Sequence, residues 1–162
     1  MEPLDPPVAS VGLIEAIRRY PQLPEPAGLP VGDYRAVLLG PAWFRAFAMA
    51  GLALAGLPRW TGKRFRPDGS GDNLLRPAGG QGPAVEFLPM ALSLAVSPQD
   101  GRRVVRVGYD AASRFPWPAV VDELRPLPGA GPETWLGMAR TDWRLTRGIA
   151  ILRLPFLLVR MA

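Results

Sequence analysis

The chain has 162 residues, 48% of them apolar and 20% charged, enough for one globular domain with a core of its own. It holds no cysteine and no histidine, which excludes disulfides, thiolate nucleophiles, imidazole bases and the usual zinc ligand sets, and leaves any acid–base chemistry to Asp, Glu, Tyr or Lys. The 19 basic residues against 14 acidic ones give a net charge of +5, but the basic residues are scattered and no nucleic-acid recognition motif accompanies them, so no nucleic acid, metal or cofactor is expected.

Residues 1–9 are acidic and Pro-rich where a signal peptide would be basic and then apolar, which makes the cytoplasm the expected compartment. Ser10 can cap a short helix over 11–20, in which Val11, Ile14 and Ile17 recur at about helical spacing and should pack on the outside of the domain. Pro21, Pro24, Pro26 and Pro30 then make an extended linker, so 1–31 reads as a helix and linker and 32–162 as one β-barrel domain. A strand is predicted over 33–39. Between Pro41 and Pro58 runs an almost unbroken apolar stretch, Trp43 to Leu57, which reads as a helix over 42–57. A helix apolar on every side must be covered on every side, so burial on more than one face is expected, with the helix capping an apolar interior. The stretch is shorter than the roughly 20 residues that cross a bilayer, and Arg45 interrupts it.

Residues 60–66 alternate as a strand, with Thr61, Lys63 and Phe65 on one face, and 67–71 form a turn before a short strand over 72–76. The glycines of 79–82 lack the spacing of a phosphate-binding loop. A long strand over 84–97, a turn at 98–101 and a partner over 102–109 make a hairpin, and 120–127 with 133–141 make another around the Pro-Gly turn at 128–132. A last strand is predicted over 149–161, bent at Pro155. The fold class is mainly β: about eight antiparallel strands in meander order, the count of a small up-and-down barrel, with an N-terminal helix and an apolar capping helix.

Three stretches carry a resemblance: Gly32-Asp33-Tyr34-Arg35; Trp60-Thr61-Gly62-Lys63-Arg64-Phe65 followed by Asn73-Leu74-Leu75; and, further on, Val120 to Arg125, Thr134 to Met138 and Phe156 to Arg160. Together they resemble the GXWXG-type bacterial proteins of unknown function and, more distantly, the lipocalins, with Tyr34 standing where the G-x-W pattern has Trp and Ala36 where it has a second Gly. The resemblance implies a lipocalin-like barrel and no established activity. It also implies that Tyr34 packs against Arg160 of the last strand, as the motif aromatic does in lipocalins.

Lys63 is the one lysine, and so the one side-chain amine for a Schiff base or a tunable base. The stronger expectation is a surface ion pair, with anchoring of a ligand carboxylate next and catalysis last. Glu86 and Asp122 each share their strand parity with apolar residues, which points them inward as acid–base candidates or as members of buried structural pairs. Trp60, Phe65, Phe87, Met90, Tyr109, Trp135 and Met138 are candidate cavity-lining residues, and Phe115 and Trp117 suit a rim or partner contact. The expected function is binding of a small hydrophobic molecule inside the barrel; an enzymatic form of it would be a cofactor-independent isomerisation, cyclisation or hydration, with Glu86 or Asp122 as the acid–base group and Lys63 or Tyr109 orienting a polar end. The alternative is a peripheral membrane or protein-interaction module built on helix 42–57 and the basic segment Arg140, Arg144 and Arg147 beside Trp143.

Overall fold

Eight strands follow in sequence order, each pairing antiparallel with the next: β1 (Gly32–Leu38), β2 (Trp60–Phe65), β3 (Ser70–Leu75), β4 (Val85–Val96), β5 (Arg103–Tyr109), β6 (Val120–Pro126), β7 (Thr134–Thr141) and β8 (Leu154–Arg160). β8 returns to pair with β1, Tyr34 opposite Arg160 and Leu38 opposite Phe156, so the sheet closes and no edge is left. The computed structural model describes residues 12–131, 133–141 and 153–162. Pro155 sits within β8 but ahead of the register with β1, where its missing N–H costs that pairing nothing.

The helix α1 (Leu13–Arg19) precedes the barrel and packs on its outer surface, where Ala16, Tyr20 and Leu23 cover Leu136, Met138 and Leu157. Beneath it the buried Arg125 lies over the Tyr20 ring and makes two 2.8 Å bonds to Asp100. The barrel has two kinds of end. Short turns follow β2, β4 and β6 at one end; at the other lie the long connections after β1, β3 and β5. The connection after β1 contains the second helix, α2 (Ala42–Leu54).

Inside, Tyr34, Phe65, Met90, Val105, Leu124 and Leu158 fill the barrel toward its short-turn end. There the Arg160 guanidinium stacks over the Tyr34 ring at 5.6 Å and pairs with Glu133 at 2.8 Å. Gly32, at φ +114°, leaves the space this guanidinium needs, since a Cβ there would stand 2.5 Å from its central carbon.

Two β-bulges decide which side chains face inward. Between β2 and β3 the register shifts at Trp60/Gly62, which brings Trp60 onto the buried face with Lys63 and Phe65 instead of opposite to them. Between β3 and β4, Asp72 pairs with Pro89 but Asn73 with Phe87, leaving Leu88 as the extra residue at φ +55°. The alternation of β4 reverses there. Glu86, expected to point inward with Met90 and Leu92, instead lies outside, bonded to Arg64 and at 2.7 Å to Arg66. These partly exposed pairs are screened by solvent and contribute little to stability.

The apolar helix also departs from expectation. No residue of α2 is fully buried: one face lies over the barrel mouth, and Trp43, Phe47 and Leu54 stand in solvent. With barrel on one side only, its fully apolar pattern is not matched by cover on the other. The expected helix ends early as well, at Leu54, where Gly56 (φ +95°) turns the chain back into β2. Part of the strand predicted over 149–161, and Trp143, Arg144 and Arg147, fall outside the described residues.

Candidate functional site

At the long-loop end the barrel is not filled. A cavity of about 310 Å³ lies between the α2 face (Phe44, Ala48, Leu52) and the upper barrel wall, where Leu38, Val120, Leu154 and Phe156 supply apolar surface. That volume is at the lower end of small-molecule sites. The roof is tied down by Trp117 in the β5–β6 connection, whose indole N–H donates to the Ala55 carbonyl at 2.7 Å just past the end of α2.

The floor carries charge. Lys63 is 2% exposed, and its ammonium has an acceptor for each of its three N–H groups: Asp122 Oδ2 at 3.0 Å, the Tyr109 hydroxyl at 2.8 Å and Asn73 Oδ1 at 3.1 Å. Tyr109 donates its own proton toward Asp122 Oδ2 at 3.2 Å, and the Trp60 indole N–H donates to Asn73 Oδ1 at 2.9 Å. The Asn73 amide N–H₂ donates in turn to the Leu88 carbonyl at 3.2 Å, which fixes the bulge in β4. The Trp60 and Tyr109 rings lie 5.7 and 5.4 Å from the ammonium, within cation–π range.

Electrostatics follow from this enclosure. Burial alone would push the Lys63 ammonium down, but the Asp122 carboxylate and the Tyr109 oxygen outweigh it and hold the group above the ordinary lysine value. Tyr109 is pushed up to about 12, chiefly by burial and then by Asp122. The floor is therefore a Lys–Asp ion pair bridged by a phenol that keeps its proton at neutral pH, and the cavity's other cation, Arg140, is itself paired with Glu123 at 2.7 Å. A Schiff-base lysine needs a free amine, and this one is protonated and fully engaged. One wall atom is left over: the Thr141 hydroxyl is buried beside the cavity without a hydrogen-bond partner among the described residues.

No protein-family model and no curated protein matches the chain. A solved structure, the crystal structure of a protein from Thermomonospora curvata, is similar over 90% of this chain and 85% of that one, with 22% identity and a TM-score of 0.64. The likeness establishes the fold. It does so for an eight-stranded closed barrel with two helices, and at that identity it says nothing of a ligand or a reaction.

Of the residues singled out in the sequence, the structure brings Lys63, Asp122, Trp60 and Tyr109 together at the cavity. Phe65 and Met90 are buried lower in the barrel, Phe65 against the Tyr34 ring at 5.5 Å. Met138 faces outward under α1, because β7 turns Leu136 and Met138 to the outer layer. Trp135 borders a separate cleft with Tyr34, Glu133 and Arg160 at the opposite end, and Phe87 is half exposed beyond the bulge. Trp117, expected at a rim, lines the cavity as well, and so do Asn73 and Phe156, which nothing in the sequence pattern assigned to it. A signal for Asn73 exists: a hairpin turning about Asp68-Gly69 sets residue 73 directly across from Lys63.

Proposed function

We propose that this barrel binds a small, neutral, hydrophobic molecule in the cavity beneath α2. The observation that supports it is the pairing of an apolar chamber with a floor whose ammonium is already fully engaged. A fatty-acid-like anion would gain little from Lys63, whose donors are all committed, and would meet the Asp122 carboxylate. A neutral molecule loses nothing there, and a single hydroxyl on it has two matches, Asp122 Oδ1 as acceptor and the Thr141 hydroxyl, which has no partner among the described residues.

We also propose kinship with the GXWXG-type group, on the sequence pattern alone. Within Trp60-Thr61-Gly62-Lys63-Arg64-Phe65, the residues that carry the resemblance do different things in the barrel. Trp60 bonds Asn73, Gly62 passes under the β1 backbone, Lys63 meets Asp122 and Phe65 packs on Tyr34.

Titration with the neutral fluorophore 1-aminoanthracene tests the binding reading. Ala139 lies on the cavity wall, and Ala139→Phe would occupy the chamber from the side. The wild-type protein is expected to take up the probe with blue-shifted emission, and the variant to bind at least about tenfold more weakly, a change of about 1.4 kcal/mol. Equal binding by both would place the probe elsewhere.

A further inference from the structure

We propose that the barrel mouth docks on an anionic lipid bilayer, with the outer face of α2 and the tip of the β5–β6 connection entering the lipid interface. Two independent features meet at that end of the barrel. The first is apolar: Trp43, Phe47, Ala50 and Leu54 recur at i, i+4, i+7 and i+11, one narrow stripe of α2, and Trp43, Phe47 and Leu54 are 72%, 74% and 84% exposed, with Phe47 at the rim where it also borders the cavity. Phe115, 77% exposed, projects from the connection whose next residues, Pro116 and Trp117, line the same cavity. Four large apolar side chains around one opening exceed what scattered surface hydrophobes explain.

The second is charge. Among the described residues, the connections at this end carry Arg45, Arg59, Arg76, Arg114 and Arg153 against the one acid Asp110. A basic ring around an apolar stripe is the complement of a headgroup layer bearing negative charge over hydrocarbon, and it is not the complement of a second copy of itself, which would bring arginine against arginine. No described helix is long and apolar enough to cross a membrane; α2, at 13 residues, is suited to lie flat. This inference stands apart from the identity of the cavity's occupant, although a mouth opened toward the bilayer gives a hydrophobic molecule a path that avoids water.

Flotation of the intact protein on vesicles decides it. With phosphatidylcholine containing about a third phosphatidylglycerol the protein is expected to float at low salt, to stay down with phosphatidylcholine alone, and to be released at about 1 M salt. Replacing the exposed apolar side chains together (Trp43→Gln, Leu54→Gln, Phe115→Gln) should abolish flotation while 1-aminoanthracene uptake is kept, since none of the three lines the cavity. Arg45→Gln with Arg114→Gln should lower the salt concentration needed for release. A wild-type protein that stays down with anionic vesicles, flotation indifferent to lipid charge, or flotation undiminished in the triple variant would overturn the proposal. So would a dimer, without flotation, that the triple variant dissolves, because the face would then belong to a second copy.

Discussion

Lys63→Met is expected to destabilise the protein by about 3–5 kcal/mol in urea unfolding, the cost of stranding one partner of a buried ion pair. The substitution keeps the length of the stem and removes the ammonium, leaving Asp122 with the Tyr109 hydroxyl at 3.2 Å and Asn73 Oδ1 with one donor fewer. Were Lys63 in a surface pair the same change would cost at most about 1 kcal/mol, so the measurement separates the two environments cleanly. The double variant Lys63→Met, Asp122→Leu is expected to recover most of the loss, because an apolar pair of similar volume carries no desolvation penalty. A single-variant loss below about 1 kcal/mol would mean that water reaches the ammonium and that the floor is not closed.

Gly62→Ala is the second large effect. A Cβ at that position would stand 1.9 Å from the Tyr34 carbonyl oxygen and 3.0 Å from its carbon, both of them backbone atoms that no rotamer change can move. β1 and β2 would have to separate, and the register of Arg35 with Gly62 and Tyr34 with Lys63 would go with them. The expected loss is about 3 kcal/mol or more, at or beyond the upper end of ordinary overpacking, with a matching fall in thermal midpoint. A change under about 1 kcal/mol would show that the strand approach is looser than the distances state.

The barrel itself is legible in the sequence because its signals are local: alternation along each strand, turn clusters such as Pro98 to Gly101, and an apolar stretch bounded by Pro41 and Pro58. What is not legible is which face of two strands points inward. A bulge adds one residue and reverses every side chain beyond it, and although Gly62 and Pro89 are residue types found at bulges, they do not say that one is present or which residue is the extra one. This is why alternation puts Glu86 inside when it lies outside, and why it puts Trp60 on the face opposite Lys63. Pattern fails for α2 in another way: an apolar helix states that something covers it, but not whether the cover is the same chain. Met138 shows a third limit, since a barrel with a helix on its outer wall has two apolar layers and alternation cannot say which one a strand residue joins.

The neutrality of the floor is the point on which the binding reading turns, and competition for bound 1-aminoanthracene by decanol and by decanoate at mildly alkaline pH tests it most directly. The two competitors share an apolar chain and differ at one end, so the comparison isolates the response of Lys63 and Asp122 to a headgroup. Decanol is expected to displace the probe at a concentration at least about tenfold lower than decanoate, with the preference reduced in Asp122→Asn, where the ammonium is freed to meet an anion. Displacement by decanoate at equal or lower concentration than decanol would contradict the reading, because Lys63 would then have to leave Asp122 for the ligand.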